Sequence, residues 1–243
     1  MTYNIVHKPL ELLWRKRFSK IVDFIKEEDP DVIGMQEIIG KGYRYFRRNL
    51  DNYYVLGESR HSIIFTNEYN PLLIKKDYEL DSYNTYSLSD NITKLGTKTK
   101  EDNFPRICVV AHIKKDNNKY LVINTHIDNS DSKNKKRLLK IYKSIIEKEL
   151  NTDEYLILLG DYNMTLDNDN LVEFSKDYNN PFKDNCYGSF CINPKVKSID
   201  HIFIDKRLDF KGDTIHKYTN DETVLSDHYP LSCEVVVNNK KRC

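Results

Sequence analysis

Side chains that bind metal ions or phosphate recur at the ends of apolar, strand-like runs in this 243-residue chain. Asn4 lies in Thr2-Tyr3-Asn4-Ile5, and Glu37 closes Gly34-Met35-Gln36-Glu37. His126 and Asp128 stand in Asn124-Thr125-His126-Ile127-Asp128, Asp161 and Asn163 in Leu159-Gly160-Asp161-Tyr162-Asn163, and Asp227 and His228 in Ser226-Asp227-His228-Tyr229-Pro230. A sixth site, Asp200 in Ser198-Ile199-Asp200-His201-Ile202, falls inside a strand. One such residue is ordinarily a turn former or a cap, but the repetition calls for another reading. If the strand ends converge, they supply hard oxygen donors suited to Mg²⁺, with Mn²⁺ as a substitute. The set contains no cysteine and too few clustered histidines for a structural zinc site. It suits phosphate chemistry, in which a water is oriented and charge developing on phosphoryl oxygens is neutralised.

The elements that must position these residues follow from periodicity. Trp14, Phe18, Ile21, Val22 and Ile25 recur at helical spacing over about 11–28, and Asp29-Pro30 closes the helix. A strand at 31–36 follows, then a short basic helix at 41–50 and strand-like runs at 53–56, 62–66 and 71–78. Residues 80–103 are polar and read as a surface excursion bordering the site. Runs at 106–114 and 119–125 flank the turn-forming Lys115-Asp116-Asn117-Asn118, which predicts a hairpin. A second amphipathic helix spans about 133–150, with Leu138, Ile141, Tyr142, Ile145 and Ile146 as its stripe. A buried strand at 155–159, a polar segment to about 195 and late strands at 198–204 and 231–237 complete the chain. Strands that arrive partly as hairpins and partly through helices suggest packed mixed sheets with helices outside.

Composition bounds the partners. A hydrophobic content of 39% supports one large α/β domain over residues 1–243. Lys plus Arg number 38 against 37 Asp plus Glu, so no global positive field gathers nucleic acid or an anionic membrane. The opening residues carry no export signal, and no apolar run reaches the roughly 20 residues that span a bilayer, so a cytoplasmic location is expected. Five cysteines, an odd count, read as reduced thiols, and Cys186 with Cys191 lacks the second pair that a metal site needs.

Taken in order, Thr2-Tyr3-Asn4, Gln36-Glu37, Asn124-Thr125-His126-Ile127-Asp128, Gly160-Asp161-Tyr162-Asn163, Ile199-Asp200-His201-Ile202-Phe203 and Ser226-Asp227-His228-Tyr229-Pro230 resemble the motifs of the endonuclease/exonuclease/phosphatase superfamily of deoxyribonuclease I-like phosphoesterases. Leu88-Ser89-Asp90 and Phe104-Pro105-Arg106 further resemble a bacterial branch of small uncharacterised hydrolases within it. The resemblance implies a four-layer αββα sandwich of two packed mixed β-sheets, with the site at one edge. It makes Glu37 the principal Mg²⁺ ligand, with Asn4 beside it on metal or phosphate and Asp227 contributing to metal binding. Asp161 would orient and deprotonate the attacking water, helped by Asn163. His126 and His228 would donate hydrogen bonds to non-bridging oxygens, one of them also aiding departure of the leaving group, both acting best at least partly protonated, and Asp200 would orient His228 from behind. Arg106 has two readings that stay open, a phosphate contact and a structural arginine.

One position departs from the family. Where many relatives carry a glutamate that supports the histidine matching His126, this sequence has Arg60, with Glu58 two residues earlier on the same strand face. His201 should turn away from the site by strand alternation, and His7, His61, His112 and His216 have surface or packing roles as the simplest reading. Lys41, Arg44, Arg47 and Arg48, interleaved with Tyr43, Tyr45 and Phe46, form an amphipathic helix or track a nucleic-acid backbone, the former being favoured. The expected activity is metal-dependent hydrolysis of a phosphate ester, on nucleic acid or a small phosphorylated molecule, by a chain monomeric by default. The alternative is a binding module that kept the sandwich and lost catalysis.

Overall fold

The amphipathic stripes resolve into helices and the apolar runs into paired strands. In the computed structural model, which describes residues 1–8, 12–61, 67–184, 188–190, 197–217 and 225–238, the chain begins with β1 (Thr2–Asn4), α1 (Trp14–Glu28), β2 (Val32–Gln36), β3 (Ile38–Ile39) and α2 (Gly40–Asn49). It continues through β4 (Tyr53–Leu56), β5 (Glu68–Tyr69), β6 (Leu72–Lys75), β7 (Glu79–Ser87), β8 (Ile107–Lys115) and β9 (Asn118–His126). Then come α3 (Ser132–Glu149), β10 (Glu154–Asp161), α4 (Asp169–Ser175), β11 (Tyr178–Asn179), β12 (Asp200–Asp205), β13 (Leu208–Ile215) and β14 (Leu231–Val237). Helix α1 ends where Asp29 turns left-handed at φ 43° and its N–H caps the Ile25 carbonyl, and Pro30 prevents continuation. Helix α3 starts on Asp131, whose carboxylate accepts from Asn134 N at 2.9 Å.

The strands form two six-stranded mixed sheets, in the orders β13-β14-β1-β2-β6-β4 and β11-β12-β10-β9-β8-β7. Alternation along each strand divides the apolar residues between two faces. In β10, Leu156 and Leu158 pack with Leu138, Tyr142 and Ile145 of α3, whereas Tyr155 and Leu159 join the cluster between the sheets. Across the first sheet, Tyr3, Ile33 and Met35 pack with Phe18, Ile21 and Ile25 of α1 and Phe46 of α2. These apolar clusters are the three seams of an αββα sandwich.

At one end the two sheets are tied by polar groups. Asn124, fully buried, donates from Nδ2 to the carbonyls of Met35 at 2.8 Å and of Asn70 and Pro71 at 3.0 Å, and its Oδ1 accepts from Gln36 Nε2 at 2.7 Å. Gly34 makes room for this contact, because a Cβ there would lie 2.5 Å from Asn124 Oδ1. Two motif residues with no catalytic assignment thus fix one sheet against the other where the site is built.

The hairpin turn falls where expected, with Lys115 opposite Asn118 and Asp116 left-handed at φ 53°. Of the edge strands, β7, β11 and β13 were not expected. In β7, residues 80–87 fall within the expected surface excursion and the strand pairs with β8, while β13 pairs with β14. Most residues in β7 and β13 are exposed, so solvent contact removes the alternating pattern that marks a half-buried strand, and backbone pairing alone defines them. Helix α4 was also read as part of a polar segment. The expected strand at 62–66 and the residues Cys186, Cys191 and Cys243 lie outside the described residues, and Cys108 and Cys233 are free thiols. In α2, Phe46 is fully buried while Arg44, Arg47 and Arg48 are exposed, which is the amphipathic arrangement. Among the described residues, no helix is long and apolar enough to cross a membrane.

Candidate active site

Strand register brings the first three chemical groups together. In β9, β10 and β12, His126 pairs with Asp161 and Asp161 with Asp200, so three neighbouring strands present these residues side by side. Each shares the parity of the residues that face the other sheet, which aims them into the seam at its edge. Neighbouring His201 points the other way, fully buried, with Nε2 2.7 Å from the Met164 carbonyl. Gly160 precedes Asp161 because the strands pass closely there: a Cβ would lie 2.3 Å from the Thr125 carbonyl oxygen.

The opposite sheet supplies Asn4 and Glu37. Asn4 donates from Nδ2 to Glu37 Oε1 at 3.0 Å and to Asp161 Oδ2 at 3.1 Å, so one amide nitrogen joins carboxylates from both sheets. Its Oδ1 accepts from Val6 N at 3.0 Å, which sets the amide orientation. Asn4 therefore holds the acids together. Left-handed backbone collects here, at Val6 (φ 54°), Glu37 (φ 62°) and Asn163 (φ 51°). Such backbone costs on the order of 1–3 kcal/mol per residue and persists only where surrounding contacts enforce it. The enforcing contacts include His7 N to Glu37 Oε2 at 2.6 Å and Asn163 N to Asp161 Oδ1 at 2.8 Å.

His228 Nδ1 donates to Asp200 Oδ2 at 2.7 Å, and its Nε2 lies 3.9 Å from Asp161 Oδ2, beyond hydrogen bonding. Burial works against the imidazolium, but Asp200, then Asp161 and Asp227, outweigh it and raise the His228 pKa to about 10. The ring is charged at neutral pH. Burial, reinforced by the Asp200 carboxylate, pushes Asp161 up to about 7. His126 behaves differently from the expected, partly protonated group. Burial and the charges of Arg106, His228 and Arg60 hold it well below an ordinary histidine. Asn163 Nδ2 donates one hydrogen to the Ile127 carbonyl at 2.9 Å and points the other at His126 Nε2, 3.1 Å away. His126 is thus a neutral acceptor at Nε2, and its Nδ1 is buried without a partner among the described residues.

Glu58 is exposed and lines a separate depression with Gly57 and Lys94, so it does not support His126. Arg106 is structurally anchored and also faces the site: its Nε donates to fully buried Asp128 at 2.8 Å, and it lines the cavity. This contact gives Asp128 the task of holding Arg106. His7 was expected to be peripheral, yet it lines the same cavity and its ring Nδ1 lies 2.9 Å from Glu68 Oε2. Glu68, unassigned in the sequence, is 4% exposed and also accepts from Arg60 Nη1 at 2.7 Å. Burial would raise its pKa, but the His7 hydrogen bond and the charges of Arg60 and Arg106 prevail and lower it. No strand-end motif marked Glu68 or His7; only the left-handed turn at Val6 and the β3–β5 pairing bring them in. His61, His112 and His216 stay outside the cavity lining.

The groups surround a cavity of about 750 Å³, whose described lining includes Glu37, His126, Asp161, Asn163, Asp227 and His228. Its donor set fits a hard divalent cation. Glu37 and Asp161 oxygens lie about one amide nitrogen, Asp161 is crowded by a second carboxylate, and half-buried Asp227 adds another oxygen donor to the wall. Ligand atoms of Asp161, Asp200 and His228 also lie within 4.8 Å of one another. In that group His228 Nδ1 is engaged with Asp200, so a cation there would have to compete with this hydrogen bond.

Comparison with known proteins bears on the family and the fold. The model of the Endonuclease/Exonuclease/phosphatase family matches residues 1–228. An uncharacterized protein of Acanthamoeba polyphaga mimivirus is 27% identical over 208 residues, covering 81% of this chain and 74% of the viral protein. The mannosyl-6-phosphatase of Bacteroides thetaiotaomicron superposes with a TM-score of 0.87 at 20% identity, covering 97% of this chain and 98% of that one. TDP2 of D. rerio, complexed with a single-strand DNA product, superposes with a TM-score of 0.75 at 14% identity over 96% of each chain. With the family match running from β1 to His228 on the double-sheet sandwich, the chain belongs to the Endonuclease/Exonuclease/phosphatase family, whose members are phosphoester hydrolases.

Proposed function

We propose that the protein is a Mg²⁺-dependent hydrolase of phosphate esters acting by in-line attack of water, with Mn²⁺ as a substitute ion. The observation that carries this reading is the convergence on Asp161 Oδ2: Asn4 Nδ2 lies at 3.1 Å and bridges to Glu37, while His126 Nε2 lies at 3.6 Å and His228 Nε2 at 3.9 Å. Glu37 and Asp227 would hold the cation, which when bound neutralises charge on phosphoryl oxygens.

The chain's own groups supply the remaining chemistry. Asp161 in its ionised form accepts a proton from the water as the oxygen attacks phosphorus; the ester P–O bond breaks, its electron pair leaves on the ester oxygen, and that oxygen takes a proton from solvent. Its pKa near 7 makes it a better base than an ordinary carboxylate at the cost of being partly protonated at neutral pH. Asn163 holds the Asp161 carboxylate from its backbone and His126 from its side chain. The imidazolium of His228, oriented by Asp200, donates from Nε2 to a non-bridging oxygen. Superposable relatives include a sugar phosphatase and a protein bound to DNA, which is consistent with a phosphate ester as substrate but does not select the rest of the molecule.

The test is turnover of p-nitrophenyl phosphate and bis-p-nitrophenyl phosphate by the chelator-treated chain with and without Mg²⁺ or Mn²⁺. Metal should restore activity to the wild type and not to Asp161→Ala. A folded wild-type protein that is inert with every divalent ion and ester would favour a binding module that has lost catalysis.

A further inference from the structure

Arg60 forms part of the wall of the catalytic cavity, between an acid and an aromatic ring. Its Nη1 donates to Glu68 Oε1 at 2.7 Å, and its side chain is 7% exposed. The guanidinium carbon lies 4.8 Å from the centroid of Phe104, another cavity residue. A guanidinium carries five N–H donors in one plane. In the Arg60 guanidinium only Nη1 is hydrogen bonded among the described residues, and Nε is buried with no partner. A buried donor left unmade is costly, and an entering anion that accepts from the guanidinium can offset that cost. Arg60 is also tied to the proposed cation ligand: Glu68 meets His7 Nδ1 at 2.9 Å, and His7 N donates to Glu37 Oε2 at 2.6 Å.

We infer that Arg60 binds a non-bridging oxygen of the substrate phosphate, and that the cavity thereby prefers a terminal phosphomonoester to a diester. This rests on the hydrolase reading above. A terminal phosphoryl group offers three unesterified oxygens and up to two negative charges, whereas a diester offers two and one. His228 and a cation held at Glu37 would engage two oxygens. His126 supplies no donor at Nε2, which faces Asn163, and Arg106, the other arginine of the wall, spends its Nε on Asp128, so a third oxygen falls to the planar donor fork of Arg60.

The test measures kcat/KM for p-nitrophenyl phosphate and bis-p-nitrophenyl phosphate in wild type, Arg60→Lys, Arg60→Gln and the double variant Arg60→Gln/Glu68→Gln. The double variant leaves no buried charge unpaired and so guards against failure to fold. Inorganic phosphate binding is titrated calorimetrically in parallel, with Mg²⁺ present. Loss of one charge-assisted bond should lower monoester kcat/KM by about 30- to 100-fold and weaken phosphate binding by about 10-fold or more. Diester kcat/KM should fall by less than about 5-fold, and Arg60→Lys should retain part of the monoester activity. Equal losses on both esters, or unchanged phosphate affinity in the folded double variant, overturn the inference. A wild type that hydrolyses neither ester sinks the hydrolase reading instead, and the phosphate titration then decides the role of Arg60 by itself.

Discussion

Replacing Asp200 by Asn isolates the electrostatic contribution of one carboxylate with little change in shape. Asp200 is 1% exposed and its Oδ2 receives the His228 Nδ1 proton at 2.7 Å. The rise of His228 from 6.5 to about 10 corresponds to roughly 4–5 kcal/mol favouring the imidazolium. Asp200 is the largest cause of that rise, and the opposing force is burial. Asp200→Asn should therefore bring His228 back to 7 or below, and kcat should drop roughly 10²- to 10⁴-fold at pH 8 as the phosphate loses a charged donor. The linkage has a definite sign. Because the folded-state pKa is raised, the stabilisation is complete below about 6.5 and is lost as pH rises from there through about 10. The wild type should lose this contribution across that window, and Asp200→Asn should not. The assays are an NMR titration of the His228 ring and urea melts between pH 6 and 10. A His228 that still titrates near 10 in folded Asp200→Asn refutes the assignment of Asp200 as the source of the charge.

Four further outcomes follow from the same geometry. Activity should rise with pH across about 7 as Asp161 ionises, and the limb should move to lower pH as Mg²⁺ is increased; a limb indifferent to Mg²⁺ in a metal titration of pH profiles argues against a shared site. The raised Asp161 pKa also means that stability from this group falls as pH rises from about 4 to about 7, a loss that Mg²⁺ should offset in thermal melts. Glu37→Gln keeps a hydrogen-bond acceptor for Asn4 but removes a charge, so Mn²⁺ affinity by calorimetry should weaken by about 10-fold or more and kcat/KM fall by roughly 10²-fold or more. Asn124→Ala removes partners of Gln36 and of the Met35, Asn70 and Pro71 carbonyls, and should cost about 2–4 kcal/mol in urea denaturation without altering any titrating group.

The legibility of the chain follows where its physics is local. Apolar periodicity exposed α1, α3 and the central strands, because those elements bury one face or both. Strands β7 and β13 escaped, since most of their side chains are exposed and their order comes from hydrogen bonds to a neighbour distant in sequence. The carboxylates proposed for the site were visible because Glu37 and Asp161 close apolar runs, and Asp200 interrupts one. His7 and Glu68 were not, because their meeting depends on a left-handed Val6 and a two-residue strand pairing, neither of which leaves a periodic signal. The neutral state of His126 was likewise hidden: it depends on Asn163 pointing an amide hydrogen at Nε2 and on the charges of Arg106 and Arg60 folded nearby.

The most direct measurement of the central claim is an anomalous difference map from a crystal soaked in Mn²⁺. The ion should lie against the Glu37 carboxylate, in the cavity shared with Asp161 and Asp227, with His228 off the metal and hydrogen bonded to Asp200. A peak coordinated by His228 and Asp200 without Glu37, or no peak in the cavity at saturating Mn²⁺, would contradict it.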